Sequence, residues 1–314
     1  MIILAGVVND AFTSWQLACP TCRAPLAVDV DLASCTGCAT IYPRTDGIWR
    51  CLAPDRRDAF TRFEHEYHTI RRAEGWGGES ADYYRALPWT DLSGRFSALW
   101  QIRARSFSTL VDRVLPRLHA RGVGRALDLG CGNGWLAYRL TQRGLQVTAI
   151  DVQLDPLDGL GAHTQYDAPF TPVQAEFDRL PFADQQVDLA VFNGSLHYTP
   201  DYEVSLREAL RVLRPDGLLA IVDTPMYSTE QNGSRMISER YARFRETYGF
   251  KSDALGAEQF LTRDRLTHLG RALGVRWDII MPFHGWLWVL RPLLARLRGH
   301  REPAQFPVVI GTRV

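Results

Sequence analysis

The sequence predicts an α/β protein with a mostly parallel sheet, preceded by a small cysteine-rich module. From Arg125 onward, apolar strand-like segments alternate with amphipathic helical segments, the pattern of a parallel sheet covered by helices on both faces. Near the N-terminus, two C-x-x-C pairs are separated by twelve residues, a spacing typical of a tetrahedral thiolate metal site. Ligands of such sheets bind beyond the carboxyl ends of the strands, so we seek site residues there.

The composition limits the classes of function. The 314 residues include 36 Lys and Arg against 35 Asp and Glu, and this balance disfavours a broad nucleic-acid-binding face. No segment reaches the ~20 consecutive apolar residues that a membrane span needs. The apolar start "MIILAGVV" lacks a basic flank and a cleavage pattern, so we expect a strand or a ragged start there rather than a signal peptide. Paired cysteines of this kind suit a reducing compartment, which predicts a cytoplasmic protein.

Pattern changes divide the chain into three regions. Residues 15–52 predict a zinc ribbon, residues 53–122 a helical connector that covers the cofactor or substrate, and residues 123–314 the α/β domain. Two segments of the last region, 225–256 and 284–305, are insertions in the strand–helix alternation. The aromatic run "ADYYRALPW" of the connector is a candidate for closing over the site, with packing in the core as the alternative.

The ribbon is predicted to hold a structural zinc ion. Its four candidate ligands are Cys19, Cys22, Cys35 and Cys38. Four thiolates fill the tetrahedral shell of zinc and leave no position for substrate or water, so we do not expect catalysis by this metal. Cys51 is expected to be a buried spare thiol.

The first strand of the α/β domain ends in "LDLGCGNGW", residues 127–135. The alternating glycines Gly130, Gly132 and Gly134 allow a tight turn and a close approach of a ligand to the backbone. The dinucleotide fingerprint requires a further glycine where this chain has Trp135, which argues against a nicotinamide cofactor.

Three more predicted strands end in groups that suit a nucleoside. Asp151 follows Gly132 by nineteen residues, where a carboxylate can accept both hydroxyl groups of a ribose. The third strand is expected to end at Glu176 and Phe177, beside an adenine, and the fourth at Asn193. Each acidic residue alone also fits a solvated strand end, whereas ligand groups at four successive strand ends favour one shared ligand.

These segments resemble class I S-adenosylmethionine-dependent methyltransferases, particularly the methyltransferase type 11 group. The likeness covers roughly residues 125–225 and is carried by "ALDLGCGNG", "AIDV", "AEFDRLPFADQQVDLAVFNGSLHY" and "EALRVLRPDGLLAIVD". The resemblance implies a seven-stranded Rossmann-like sheet whose last strand, "FPVVIGTRV", is antiparallel. It also implies S-adenosylmethionine as cofactor and S-adenosylhomocysteine as product.

Site residues carried over from this resemblance follow the parts of the cofactor. They are Asp128 with Gly130, Cys131, Gly132 and Gly134 for the methionine part, Asp151 and Val152 for the ribose, Glu176 and Phe177 for the adenine, and Asn193 for the methyl-donor pocket. Glu176 replaces the commoner aspartate and Phe177 the commoner alanine of the family. Cys131 is expected only to pack.

The ribbon resembles the zinc-binding domain of small activator proteins that partner RNA and protein methyltransferases. The likeness includes the cysteines and the "YPRTDGI" segment and spans about residues 19–52. It implies a module that supports a methyltransferase, here fused in front of one, and that either braces the helices or also contacts the acceptor.

Methyl transfer needs alignment of the acceptor more than it needs a general base. The candidate catalytic residues after strands four and five are His197, Tyr198, Asp223 and Tyr227. For His197 the alternative is a role in shaping the cofactor pocket, and for Asp223 a strand-end cap.

The second insertion combines aromatic and basic residues. Residues 271–314 hold seven Arg against Asp278 and Glu302, a balance of +5, and the segment 286–301 is a candidate for membrane-surface contact. The alternative is an amphipathic helix packed on its own domain.

We expect a methyltransferase acting on an O, N or C atom of a small, fairly apolar or lipid-like acceptor. One alternative is an RNA base methyltransferase, although nucleic acid is the less favoured partner. Another alternative is a non-catalytic cofactor-binding or docking module. The oligomeric state stays open.

Overall fold

A computed structural model describes residues 14–119 and 124–314. The N-terminal segment "MIILAGVV" lies outside this range. The ribbon and connector contain four strands and three helices: β1 Leu26–Asp29, β2 Leu32–Cys35, β3 Ile41–Thr45, β4 Ile48–Arg50, α1 Arg57–Glu74, α2 Ala81–Ala86 and α3 Ser97–His119.

The remaining chain alternates strands and helices. Its core elements are β5 Arg125–Leu129, α4 Trp135–Thr141, β6 Gln146–Asp151, β7 Thr171–Gln174, β8 Val187–Asn193, α5 Tyr202–Val212 and β9 Leu213–Val222. The C-terminal elements are β10 Met226–Tyr227, α6 Glu230–Tyr248, β11 Leu261–Thr262, α7 Arg263–Leu273, β12 Val275–Ile280, α8 Trp286–Leu297 and β13 Val308–Arg313.

The predicted sheet is confirmed. Its strand order is β7-β6-β5-β8-β9-β13-β12; β5 to β9 are parallel, and β13 is antiparallel to both β9 and β12. The order reverses between β5 and β8, which opens a crevice at the carboxyl ends of these strands. β7 is shorter than the sequence suggested and ends at Gln174, so Glu176 and Phe177 lie in the loop after it.

The ribbon extends this sheet rather than standing apart from it. β4 pairs in parallel with β7 through Trp49–Val173 and Arg50–Gln174, which makes one eleven-stranded sheet. Trp15 packs on Phe182 with ring centroids 5.1 Å apart, and Tyr42 and Trp49 are fully buried in the same core as the sheet. The ribbon therefore covers an edge that the α/β domain would otherwise expose.

The connector packs against α4 on one face of the sheet. Trp100 and Phe107 of α3 each contact Trp135 at the start of α4, with ring centroids 5.8 Å apart. Tyr84 of "ADYYRALPW" is fully buried, and its hydroxyl donates to the carbonyls of Gly78 and Leu157. Tyr83 and Tyr84 therefore pack in the core, Trp89 is about half exposed, and no residue of this segment lines the crevice.

Each of the two insertions contains one helix. The first contains β10 and α6, with β10 paired in parallel to β11. The second contains α8, in which no residue is buried. Within residues 14–119 and 124–314, no helix is long and apolar enough to cross a membrane.

Candidate functional site

The turn after β5 requires glycine. Gly130, Gly132 and Gly134 have φ of +76°, +54° and +85°, conformations that side chains rarely adopt. A Cβ atom at Gly130 would lie 2.3 Å from the Cβ of Ser195. The turn thus brings bare backbone to the mouth of the crevice, as the glycine spacing predicts.

A cleft lies over this turn at the carboxyl ends of the strands. Predicted site residues that line it are Gly130, Gly132, Asp151, Val152, Glu176, Phe177 and Tyr198. The carboxyl ends of the parallel strands meet at this edge, which explains why groups so distant in sequence share one cleft.

Asp151 is held in place by the glycine turn. Its carboxylate accepts hydrogen bonds from the backbone N–H of Gly132 at 2.8 Å and of Gln153 at 2.9 Å. Burial raises the pKa of Asp151 to about 6, although these N–H groups favour the ionised form. A carboxylate in this position can accept the hydroxyl groups of a ribose.

Glu176 already has a cationic partner. The Nε of Arg56, just after the ribbon, donates to both Glu176 oxygens at 3.1 and 3.0 Å. Burial raises the pKa of Glu176, and the Arg56 charge opposes that rise. Phe177 packs edge-on against Phe192 with centroids 5.4 Å apart and presents an aromatic wall to the cleft.

Asp128 and Cys131 lie beneath the cleft. Asp128 is fully buried, and one carboxyl oxygen accepts from the N–H of Ala137 at 3.0 Å, while the other has no hydrogen-bond partner in the described part of the chain. Burial raises the pKa of Asp128 to about 8. Cys131 is buried, which raises the pKa of its thiol well above the usual value and fits the expected packing role.

The candidate catalytic residues do not converge on one point. Tyr198 lines the cleft, whereas His197 and Tyr198 both line a second cavity beside it. Asp223 is buried and accepts a hydrogen bond from Ser106 at 2.6 Å. Tyr227 lies between α6 and α8, next to Arg301, in a separate open cleft. Asn193 is half-buried at the end of β8 and is not among the lining residues of either cavity.

Helix α1 supplies lining residues that the sequence analysis missed. Phe60, Phe63 and Tyr67 form an aromatic roof over the cleft. Their spacing of three and four residues places them on one helix face, so the stripe was a usable signal. The loop after β6 is tied to this helix because the Arg71 guanidinium binds the Asp158 carboxylate, with one contact of 3.0 Å.

The four ribbon cysteines form a cluster that fits a tetrahedral metal ion. Their Sγ atoms all lie within 4.8 Å of one another, with Cys19–Cys38 at 3.7 Å and Cys22–Cys35 at 3.4 Å. Zn–S bonds of about 2.3 Å place tetrahedral sulfurs about 3.8 Å apart. The backbone N–H groups of Gly37 and Cys38 donate to the Cys35 sulfur at 3.3 Å each and fix its position in the cluster. Cys51 is buried outside the cluster.

Comparison with known proteins agrees with this geometry. The type 11 "Methyltransferase domain" family matches residues 127–221. A malonyl-[acyl-carrier protein] O-methyltransferase of Enterobacter lignolyticus is 28% identical over 155 residues, which are 49% of this chain and 56% of that protein. A 27-O-demethylrifamycin SV methyltransferase of Amycolatopsis mediterranei is 36% identical over 118 residues, 36% of this chain and 43% of that protein.

The chain thus spans about half the length of these curated relatives. Among solved structures, the YcgJ protein of Bacillus subtilis is 16% identical, with a TM-score of 0.49 over 67% of this chain and 99% of that protein. The family match covers the glycine turn and most of strands β5 to β9, whereas β12 and β13 lie C-terminal to it. Residues 127–221 of this chain match the methyltransferase domain of the type 11 family, and they are preceded by a ribbon whose four cysteines fit a zinc ion.

Proposed function

We propose that this protein is an S-adenosylmethionine-dependent methyltransferase that acts on an O, N or C atom of a small, fairly apolar or lipid-like acceptor. The observation that carries the proposal is the cleft in which the bare glycine turn faces the Asp151 carboxylate. The methyltransferase-domain match over residues 127–221 supports the same reading.

The residues of the cleft suit each part of the cofactor. Asp151 and Val152 would hold the ribose, Phe177 with Glu176 the adenine, and the glycine turn the methionine part. When bound, the cofactor supplies an activated methyl group: its carbon–sulfur bond breaks, a bond from the methyl carbon to the acceptor atom forms, and an acceptor that carries a hydrogen loses it as a proton. The aromatic roof of α1 excludes water and aligns the acceptor, which is the main protein contribution to such a displacement.

His197 shapes the pocket and is not a general base in this proposal. Burial, with Arg240 and Arg103 nearby, lowers the pKa of His197 to about 3. A base this weak contributes little proton abstraction at neutral pH. Its ring is therefore neutral and available for hydrogen bonding.

We propose a small acceptor because aromatic side chains line the site. Both cavities beside the glycine turn are lined by aromatic side chains of α1, whereas RNA binding calls for an extended basic face. Neither of the two relatives is named for a nucleic-acid acceptor: one is an O-methyltransferase of malonyl-[acyl-carrier protein] and the other a methyltransferase of 27-O-demethylrifamycin SV. The free cysteines of the described chain favour a reducing, cytoplasmic setting.

The ribbon is proposed to hold a structural zinc ion and to brace the catalytic unit. Arg23, next to the ligand Cys22, binds Glu208 of α5 at 2.7 and 2.9 Å. Together with the β4–β7 pairing, this contact ties region 15–52 to region 123–314.

Cofactor binding is expected to weaken below pH 6, and this tests the proposal. Ribose hydroxyls donate to the ionised Asp151, whose pKa in the free protein is about 6; each pH unit below that value therefore lowers the affinity for S-adenosylhomocysteine by up to about tenfold. Calorimetric titration from pH 5 to 8 measures this slope. In Asp151→Asn the affinity at pH 8 should fall by about tenfold or more, and the slope near pH 6 should disappear. An equal slope in both proteins would contradict the assignment of the ribose to Asp151.

Contact with a membrane surface is a second proposal, carried by α8. Trp286 and Leu287 are 76% and 80% exposed, and the arginines at 291, 296, 298 and 301 lie along or just after this helix. Exposed aromatic and aliphatic side chains beside arginines suit insertion into an anionic lipid surface.

Wild-type protein is expected to co-sediment with phosphatidylglycerol-containing vesicles and much less with pure phosphatidylcholine vesicles. Trp286→Ser with Leu287→Ser should weaken this binding at least tenfold, because two inserted apolar side chains are lost. The matched control is Val30→Ser, which removes a 78% exposed apolar side chain from the ribbon and should leave sedimentation unchanged. Equal sedimentation of the double variant would refute the membrane contact.

A further inference from the structure

A second cavity adjoins the cofactor cleft. The two cavities share a wall formed by Phe63, Tyr67, Tyr198 and Leu255. The second cavity contains about 700 Å³ of empty space, its mouth included, and lies beneath α6 of the first insertion. A molecule bound there would lie next to the cofactor cleft, and its acceptor atom would have to reach the donor methyl past the side chains that line both cavities.

Most of the lining side chains are apolar or already paired. Ile70 and Phe244 add aliphatic and aromatic surface. Among the charged lining residues, Arg71 binds Asp158, Asp253 binds Arg62, and Glu74 accepts from the indole of Trp76 at 2.8 Å. The fourth charged lining residue is Arg240.

Arg240 has no carboxylate partner in the described part of the chain. One guanidinium nitrogen donates to the side-chain oxygen of Gln259, which is neutral. Its Nε is buried and has no hydrogen-bond partner. The rings of Tyr241 and Phe244 lie 5.9 Å from the guanidinium carbon and limit its movement. A guanidinium whose side-chain hydrogen-bond partner among the described residues is a neutral amide would be stabilised by a ligand that supplies an anion.

Gln259 holds this guanidinium in a fixed position. It is 5% exposed and has φ of +70°, a conformation that costs a non-glycine residue on the order of 1 kcal/mol or more. Its side-chain nitrogen donates to the Tyr241 hydroxyl at 2.5 Å, and its backbone N–H donates to the His197 carbonyl at 3.2 Å. The strained backbone is thus tied to the candidate active-site residue His197, and strain of this kind collects at ligand sites.

His197 completes the polar end of the cavity. Its Nδ1 is buried without a hydrogen-bond partner in the described chain. The same end of the cavity therefore presents a cation and a neutral imidazole, and aromatic side chains of α1 and α6 supply part of the remaining wall. A guanidinium matches the planar geometry of a carboxylate.

We propose that this second cavity is the acceptor site and that the acceptor is an apolar, aromatic-sized compound whose carboxylate is bound by Arg240. The inference rests on the proposed methyltransferase function and names the acceptor class for it. Arg240 is here a specificity-determining residue, since it anchors the acceptor without contacting the donor.

Benzoate and its neutral counterpart benzamide are suitable probes. With S-adenosylhomocysteine present, ligand-observed NMR titration of the full-length protein should show benzoate bound at least about tenfold more tightly than benzamide. Arg240→Met removes the charge but keeps the chain length, and should abolish this preference. Arg240→Lys should retain part of it. The matched control Arg243→Met removes an exposed arginine from the same helix and should leave the preference intact.

Equal binding of the two probes to wild-type protein, or a benzoate preference that survives in Arg240→Met, would overturn this inference. Affinity for S-adenosylhomocysteine is measured separately on each protein. If the wild-type protein binds S-adenosylhomocysteine but shows no benzoate preference, only the acceptor class is rejected. If the wild-type protein does not bind S-adenosylhomocysteine, the methyltransferase proposal itself is rejected.

Discussion

Gly130→Ala is expected to reduce affinity for S-adenosylhomocysteine by at least about 100-fold. The new Cβ would lie 2.3 Å from the Cβ of Ser195 and 2.9 Å from the ring of Phe177, and φ at this position is +76°. Ser195 and Phe177 both line the cofactor cleft, so relief of the clash must displace the turn or these walls. A displacement of about 1 Å in such a site is enough for losses of this size. Isothermal titration calorimetry measures the change.

Gly144→Ala is the matched control for this substitution. Gly144 has φ of +82°, and a Cβ there would meet nothing within 4 Å. The variant therefore carries the same backbone penalty, about 1 kcal/mol in the free energy of unfolding, without a steric conflict. Unfolding should become easier in Gly144→Ala while cofactor affinity stays at the wild-type value. Similar affinities of the two variants would show that the turn after β5 does not contact the cofactor.

Removal of zinc, or Cys35→Ser, is expected to destabilise the whole protein and not only the ribbon. Structural zinc contributes much of the folding free energy of small ribbons, and here the ribbon supplies Tyr42, Trp49 and strand β4 to the core and edge of the main sheet. We expect a loss of about 4 kcal/mol or more and a fall in Tm of roughly 10 °C. Differential scanning calorimetry with and without a strong chelator measures both.

Cofactor affinity should fall in the same experiment. Arg56 follows the ribbon directly and binds Glu176 in the cleft that we propose for the cofactor, so a disordered ribbon would release one wall of that cleft. The matched control is Cys51→Ala, which removes a buried thiol that is not part of the cysteine cluster and should cost only about 1 kcal/mol. A chelator that leaves both Tm and cofactor affinity unchanged would rule out a bracing role for zinc.

The ribbon was recognised from its cysteine spacing, but its role in the fold depends on contacts with residues far away in the sequence. The cysteine spacing predicted the metal cluster, because ligand spacing is a local property of the chain. The parallel pairing of Trp49 with Val173 joins segments more than 120 residues apart, and no local pattern specifies it. The same holds for Arg56 and Glu176, whose pairing depends on how the ribbon lies against β7.

Residues of the cofactor cleft were predicted where the strand–helix pattern is regular. Asp151 and the glycine turn lie at strand ends, and the geometry of parallel sheets brings such ends together. The roof residues Phe60, Phe63 and Tyr67 were missed because a helical stripe of aromatic residues is typical of core packing as well as of a site. Tyr227, named as a catalytic candidate, follows a strand end but is carried by β10 to a different cleft beside Arg301.

The sequence by itself determined the fold class, the cysteine cluster and the turn that faces the cofactor, because periodicity and motif spacing are local consequences of the chain. Tertiary structure alone decided that the ribbon continues the sheet, that α8 has no buried residue, and that Arg240 lines a second cavity without a carboxylate partner among the described residues. Each of these depends on which surfaces meet after folding, and pairings between distant segments are set by the packing of the whole chain. Recognition of the acceptor, in contrast to binding of the cofactor, belongs to this second group.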